Sequence, residues 1–294
     1  MNSEYIIETK GLKKAYDGGQ EVLSGLDLRV PRGSVYGFLG RNGTGKTTTI
    51  RILMGLLRWD VGRVEVLGES SFKLSVETRQ RIGYVSQEQT MFEWMTIEQL
   101  VAFTSSFYPT WDADYTQRLR KKLDLPSARP LGALSSGQQQ KAALLLALAQ
   151  RPDLLILDEP AASLDTVVRR EFLESILDVL TDEGITVLIS SQILTDVERI
   201  ADWIGILSDG RMLLSEPLED LKESIKRLRI RTSGRETEIE HVPGAIRTIR
   251  RGSEALVTVQ DFSPTRLEEI RALFPDGVDV QDVDLEDIFI DLVS

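Results

Sequence analysis

Short apolar runs separated by turn-forming residues open the chain. Tyr5 to Thr9, Val22 to Val30 and Ser34 to Leu39 read as strands, parted by Asp17-Gly18-Gly19 and Pro31-Arg32-Gly33. After Gly40 the period lengthens: Ile50, Leu53, Met54 and Leu57 recur at helical spacing, and Gly62 lies beyond them as a stop. Residues 93–123 are mostly helical in pattern, Pro126 and Pro130 break the run, and a second helix is expected from Ser136 to Gln150. Leu154 to Leu157 and Ile185 to Ile189 are short and apolar throughout, as strands buried on both faces must be. With the helical pattern of Thr166 to Leu180 between them they predict a βαβ unit with parallel strands. The composition shifts near Leu218 to Arg227. Beyond it, Leu228-Arg229-Ile230-Arg231 and Ala255 to Val259 alternate as strands do, and Pro264 to Phe274 turns helical. A main domain over residues 1–220 and a small α+β accessory domain over 227–294 are therefore expected.

The transition from strand to helix at Gly40 carries chemistry. Residues 40–47 read GRNGTGKT, that is Gly40, Arg41, Asn42, Gly43, Thr44, Gly45, Lys46 and Thr47, and fit the phosphate-loop spacing G-x-x-x-x-G-K-[ST]. Glycines let the backbone curl around a phosphate with its N–H groups inward, and the start of the following helix adds its positive end. Lys46 is placed to reach the outer phosphates and Thr47 to ligate Mg²⁺; Thr48, next in line, is counted with the site. The run LLILDEP supplies the other half: Asp158 emerges from the end of a buried strand, where it can hold the metal through water. Glu159 follows directly, a second carboxylate placed to orient or deprotonate an attacking water.

With these motifs in order, residues 5–216 resemble the nucleotide-binding subunit of an ABC transporter, which implies a P-loop NTPase core with an antiparallel β subdomain and a helical subdomain at about 88–150. The resemblance implies ATP and Mg²⁺ as ligands. It makes LSSGQ, with Ser135, Ser136, Gly137 and Gln138, the signature that binds the γ-phosphate of ATP held by an opposite subunit. Gln87 matches the glutamine that senses the metal and faces the membrane partner, Asp165 in SLD the residue that crosses the dimer interface, and Tyr16 the aromatic ring that stacks on adenine. Two departures stand out. Where the family has a histidine at the γ-phosphate, ISSQI has Gln192, which can donate a hydrogen bond but carries no positive charge. Ser136 stands where glycine is preferred, narrowing the approach to the helix start while adding a hydroxyl donor. With Glu159 intact, a slowed rather than a dead site is expected.

Between Gln87 and Trp111 the chain is crowded with Met91, Phe92, Trp94, Met95, Phe103, Phe107 and Tyr108. Some of these belong to helix core; the rest suit a groove that, in the family, receives a short helix of a separate membrane-spanning permease subunit. The closing LEDIFIDLV is similar to the end of the C-terminal extension on ATPases of bacterial exporters, and export is the expected direction. The resemblance also implies a homodimer or a heterodimer with a second ATPase subunit. Two rival readings remain: an ATP-gated clamp on nucleic acid or ribosomes, opposed by a single cassette, no heptad run and an acidic balance, and an ATP-closed switch with little hydrolysis, supported only by Gln192.

Composition narrows the field further. Of 294 residues 41% are hydrophobic and 28% charged, an ordinary globular balance. The longest apolar run, Ala142 to Ala149, falls far short of the ~18 residues that cross a bilayer. The opening MNSEYIIETK has no basic start followed by an apolar stretch, so a cytoplasmic protein, peripheral on the inner face of the membrane through its partner, is expected. Thirty-five basic against 46 acidic residues give a net charge of −11, and residues 231–294, with 7 basic and 14 acidic, hold −7 of it. Such a balance opposes nucleic-acid binding, which depends on Lys and Arg displacing counterions. One histidine and no cysteine leave little for structural zinc or for a Ser-His or Cys-His pair.

Overall fold

The first segment is a ribbon of extended chain: β1 (Tyr5–Ala15), β2 (Glu21–Leu26) and β3 (Arg29–Pro31). The single strand expected over Val22 to Val30 is broken, because β2 and β3 both pair antiparallel with β1, Leu26 opposite Leu12 and Arg29 opposite Glu8. At the break the Asp27 carboxylate accepts the Gly11 N–H at 2.6 Å. The computed structural model describes all residues except 1–3, 17, 88–90, 181–183, 233–236, 276 and 294, and the side chain of 180.

There follow β4 (Val35–Leu39), α1 (Lys46–Leu53), β5 (Val61–Val66), β6 (Glu69–Ser70), α2 (Val76–Gln80) and β7 (Ile82–Val85). Gly62 is not a helix stop but part of β5. It has φ +103°, and a Cβ there would stand 2.6 Å from the carbonyl oxygens of Lys10 and Gly11 in β1. Next come α3 (Ile97–Ser105), α4 (Ala113–Lys122) and α5 (Ser136–Ala149). The helical stretch expected over 93–123 is thus two helices: α3 starts at a capping box between Thr96 and Gln99, and α4 starts beyond Pro109, where Asp112 accepts the Tyr115 N–H at 2.8 Å. Then β8 (Leu154–Asp158), α6 (Thr166–Leu180), β9 (Thr186–Ser191), α7 (Leu194–Ile200), β10 (Trp203–Ser208) and β11 (Arg211–Pro217) complete the larger part.

Two sheets organise it. One runs β2-β1-β5-β6 with β3 alongside β1; the other runs β11-β10-β4-β9-β8-β7, and within it β10, β4, β9, β8 and β7 pair in parallel. Side chains alternate across a strand, so β8 divides its apolar run between two cores. Leu154 and Ile156 join Tyr36, Phe38, Ile50, Leu53 and residues of the antiparallel sheet; Leu155 and Leu157 join Leu144, Leu148, Phe172 and Ile176 of α5 and α6. This is an α/β P-loop fold with an antiparallel β part and a helical part, and loop 40–47, Asp158-Glu159 and Gln192 leave the carboxyl ends of β4, β8 and β9 in its parallel sheet.

Close packing sets the distance between β7 and α5. A Cβ on Gly83 would come 2.5 Å from the Ala147 carbonyl oxygen. Gly83→Ala is expected to lower stability by about 1–3 kcal/mol through overpacking. Its denaturation midpoint, read against the wild type, checks this; an unchanged midpoint would mean that α5 yields freely.

Contacts divide the chain into two units, Met1–Ser215 and Glu216–Ser294. The second contains α8 (Leu218–Ser224), β12 (Lys226–Arg231), β13 (Ala245–Arg251), β14 (Glu254–Val259), α9 (Pro264–Leu273), β15 (Val278–Gln281) and α10 (Leu285–Val293), with sheet order β13-β14-β12-β15. Leu228, Ile230, Val257, Val259, Ile270 and Phe274 form its core. Asp291 of α10 is a buried acid, bonded to Arg227 at 2.8 Å, Arg247 at 2.9 Å and the Thr258 hydroxyl at 2.5 Å. No helix among the described residues is long and apolar enough to cross a membrane.

Candidate nucleotide site

Loop 40–47 leaves β4 and closes into α1, which begins at Lys46 after Gly45 in a left-handed conformation, φ +109°. The crowding explains the glycines: a Cβ on Gly45 would meet Leu23 Cδ2 at 2.6 Å, and one on Gly40 would meet Thr44 Oγ1 at 2.6 Å and the Leu207 carbonyl at 2.7 Å. Thr44 folds the loop inward by donating its hydroxyl to the Arg41 carbonyl at 2.9 Å. Arg41, Asn42 and Gly43 are exposed on the outer curve. The first turn of a helix leaves its N–H groups without carbonyl partners, and here no side chain caps them, so they face the hollow of the loop.

Lys46 is buried and donates to the carbonyls of Gly40 at 2.7 Å and Arg41 at 3.3 Å, while its Nζ lies 3.3 Å from Glu159 Oε1. Thr47 donates its hydroxyl to Asp158 Oδ1 at 3.3 Å. Tyr16, 41% exposed, stands with its hydroxyl 3.2 Å from Thr48 Oγ1, so its ring borders the same loop. Burial pushes the Asp158 carboxyl above its ordinary range, opposed by hydrogen bonds from Ser190 and Thr47 and by the charges of Lys46 and Arg51. The donors offered to a cation, a hydroxyl and a carboxylate, are all hard oxygens, and Mg²⁺ takes such ligands alongside phosphate oxygens. A loop that no Cβ may fill at Gly40 and Gly45, with a buried cation at its floor, fits a phosphate chain.

Glu159 adopts φ +49°, a left-handed conformation unusual for a residue with a side chain, and such strain gathers at functional positions. Its N–H points back to β9, where it meets the Ser190 carbonyl at 3.2 Å and the Ser190 hydroxyl at 2.9 Å. The residue pattern gave no sign of Ser190, since its importance depends on the parallel register that sets it beside Asp158. Gln192 lies one residue past the end of β9 and is exposed.

A second group of residues gathers elsewhere. Gln87, Ser136, Gln140 and Ser163 line a cavity of about 230 Å³ together with Met91 and Glu93. Ser135 caps α5 in a capping box with Gln138, and a Cβ on Gly137 would strike Val168 Cγ1 at 2.3 Å. Asp165 caps α6, accepting the N–H groups of Val167 and Val168 at 3.1 Å each. Among the described residues no hydrogen bond or ion pair joins residues 135–138 to loop 40–47.

Comparison with known proteins gives this geometry its setting. The sequence profile of the ABC transporter family matches residues 23–162, a span that holds the loop, Gln87, the LSSGQ segment and the Asp158-Glu159 pair. The daunorubicin/doxorubicin resistance ATP-binding protein DrrA of Streptomyces peucetius is 36% identical over 272 residues, 89% of this chain and 79% of that protein. The bacitracin transport ATP-binding protein BcrA of Bacillus licheniformis is 34% identical over 220 residues, 74% of this chain and 72% of that protein. A solved structure described as the ATP binding subunit of an ABC transporter superposes with a TM-score of 0.65 at 28% identity, covering 74% of this chain and 92% of that one. Members of this family bind ATP, generally with Mg²⁺, hydrolyse it, dimerise, and work with membrane permease subunits. The chain belongs to the ATP-binding subunits of ABC transporters.

Proposed function

We propose that this chain is the ATPase of an exporter, cytoplasmic and attached to the inner face of the membrane through a separate permease, and that residues from two copies complete each of its nucleotide sites. The observation that carries the reading is the meeting of Lys46, Thr47, Asp158 and Glu159 at the carboxyl ends of β4 and β8. The names of the relatives, a bacitracin transport protein and a drug resistance protein, support export.

In this reading the loop N–H groups and Lys46 would bind the phosphates, Tyr16 would stack on the base, and Thr47 and Asp158 would hold Mg²⁺, toward which Gln87 must move from the cavity it lines with Ser136. The metal supplies neutralisation of the charge that develops on the transferred phosphoryl group. Glu159 would turn the attacking water toward the γ-phosphorus and take its proton as the bond to the β–γ bridging oxygen breaks and ADP leaves, for which Glu159 must leave Lys46 to the phosphates. Gln192 donates a neutral hydrogen bond to the γ-phosphate. Ser135, Ser136, Gly137 and Gln138 of one copy face loop 40–47 of the other, with Asp165 at the seam.

The permease contact follows from the surface. Phe92, Trp94, Phe103 and Phe107 are 47%, 69%, 43% and 63% exposed; the three phenylalanine rings run edge to face, 5.7 Å between Phe92 and Phe103 and 5.2 Å between Phe103 and Phe107, and Trp94 lies tilted against Phe92. An apolar ladder of this kind suits an apolar helix face of the permease.

Phosphate release by the purified chain tests the ATPase assignment. Hydrolysis should be slow, should require Mg²⁺ and should stop with chelator; no release above background, alone or with the permease, would overturn it. Gln192→His is expected to raise kcat about tenfold or more with KM little changed, because a charge-assisted donor acts mainly in the transition state. A rate at or below wild type in both conditions would mean that Gln192 does not limit turnover.

A further inference from the structure

Ser190 is fully buried and sits in β9 directly across from Asp158 of β8. Its hydroxyl performs two tasks at once. It donates to Asp158 Oδ1 at 2.8 Å and accepts the N–H of Glu159 at 2.9 Å. The Thr47 hydroxyl arrives at the same Oδ1, at 3.3 Å, so the plane of the carboxylate is fixed and Oδ2 is the oxygen left to turn toward a cation. The second contact, shared with the Ser190 carbonyl at 3.2 Å, tightens the hold on the peptide between Asp158 and Glu159 where the backbone enters its left-handed turn, φ +49°, and so helps set the direction in which the Glu159 side chain leaves β8.

The geometry points to Ser190 as a positioning residue that acts through both carboxylates: its single hydroxyl orients Asp158 toward Mg²⁺ and holds Glu159 in the turn that aims it at the phosphates. This inference rests on the nucleotide-site reading above. A side chain that orients a metal ligand typically controls metal affinity or activity by about 10–100-fold. Neither neighbour in the strand can substitute: Ile189 is apolar, and the Ser191 hydroxyl is bonded with Ile193.

The test uses Mn²⁺ as the metal probe and a non-hydrolysable ATP analogue, with the full chain. Ser190→Ala should weaken Mn²⁺ binding to the nucleotide-loaded protein by about 10–100-fold. Affinity for the analogue in chelator should stay at the wild-type value, since the loop and Lys46 are untouched. Ser190→Thr, which keeps the hydroxyl, should restore Mn²⁺ binding. Ser190→Cys, close to serine in shape but a weak donor, should behave as the alanine variant does and serves in its place if alanine fails to fold. Wild-type Mn²⁺ affinity in both the alanine and cysteine variants would overturn the inference, as would a parallel loss of chelator-state affinity, which marks a merely structural residue. Failure of the wild type itself to bind the analogue would instead overturn the nucleotide-site reading.

Discussion

Lys46→Ala lowers ATP affinity by at least about a hundredfold, as isothermal titration would read it. Lys46 is the buried side-chain cation at the floor of the loop, held at the Gly40 and Arg41 carbonyls and 3.3 Å from Glu159. A charge-assisted hydrogen bond is worth about 1.5–3 kcal/mol net, and an ammonium in this position can make more than one to a phosphate chain. Removing it also leaves the Glu159 carboxylate, 6% exposed, without its counter-charge, so nearby negative phosphates are further disfavoured. The thermal midpoint should be recorded alongside, because the stranded carboxylate lowers stability as well. Unchanged affinity in a folded Lys46→Ala protein would remove the loop from the site.

Glu159→Gln separates binding from chemistry. The amide keeps the size and the hydrogen-bonding reach of the carboxylate but cannot accept a proton from water, and loss of a general base costs about 10²–10⁴ in rate. Because the neutral amide also gives up its hold on Lys46, affinity for ATP should not fall. Bound ATP then persists, and an ATP-bound dimer should accumulate in size-exclusion chromatography with ATP and Mg²⁺, in the variant and not in the wild type. Turnover at the wild-type rate would show that another group takes the proton.

Loop 40–47 was legible in the sequence because its geometry requires residue types at fixed local spacing: glycines at Gly40 and Gly45 where the backbone is crowded, with Lys46 and Thr47 at the helix start. The strand before Asp158 was legible because burial on both faces makes an unbroken apolar run. Other features lie beyond local pattern. Gly62 looks like a stop until the close passage of β1 is known, and the break at Asp27 exists because two strands share one partner. Ser190 is one serine of two in ISSQI, and only the pairing of β8 with β9, 32 residues apart at that point, gives it both carboxylate neighbours. The left-handed turn at Glu159 is equally silent, since glutamate carries no conformational signal of the kind glycine does. The large apolar residues of 91–111 divide as composition alone could not: Met91 and Met95 pack against the core, while Phe92, Trp94, Phe103 and Phe107 face outward.

The acid of α10 bears on the order of events during synthesis. Arg227 and its partner Asp291 are 64 residues apart, and Arg247 waits on the same carboxylate across 44. At a translation rate of about 5–20 residues per second, the first arginine leaves the peptidyl-transfer centre roughly 3–13 s ahead of its counter-charge. Through that interval the β12-β14-β13 sheet carries guanidinium groups that have no buried acid to meet, so it gains its full stability only when residue 291 has emerged. The strand contact of Ser190 on Asp158 draws on residues made about a hundred positions earlier, so it does not wait for the final helix.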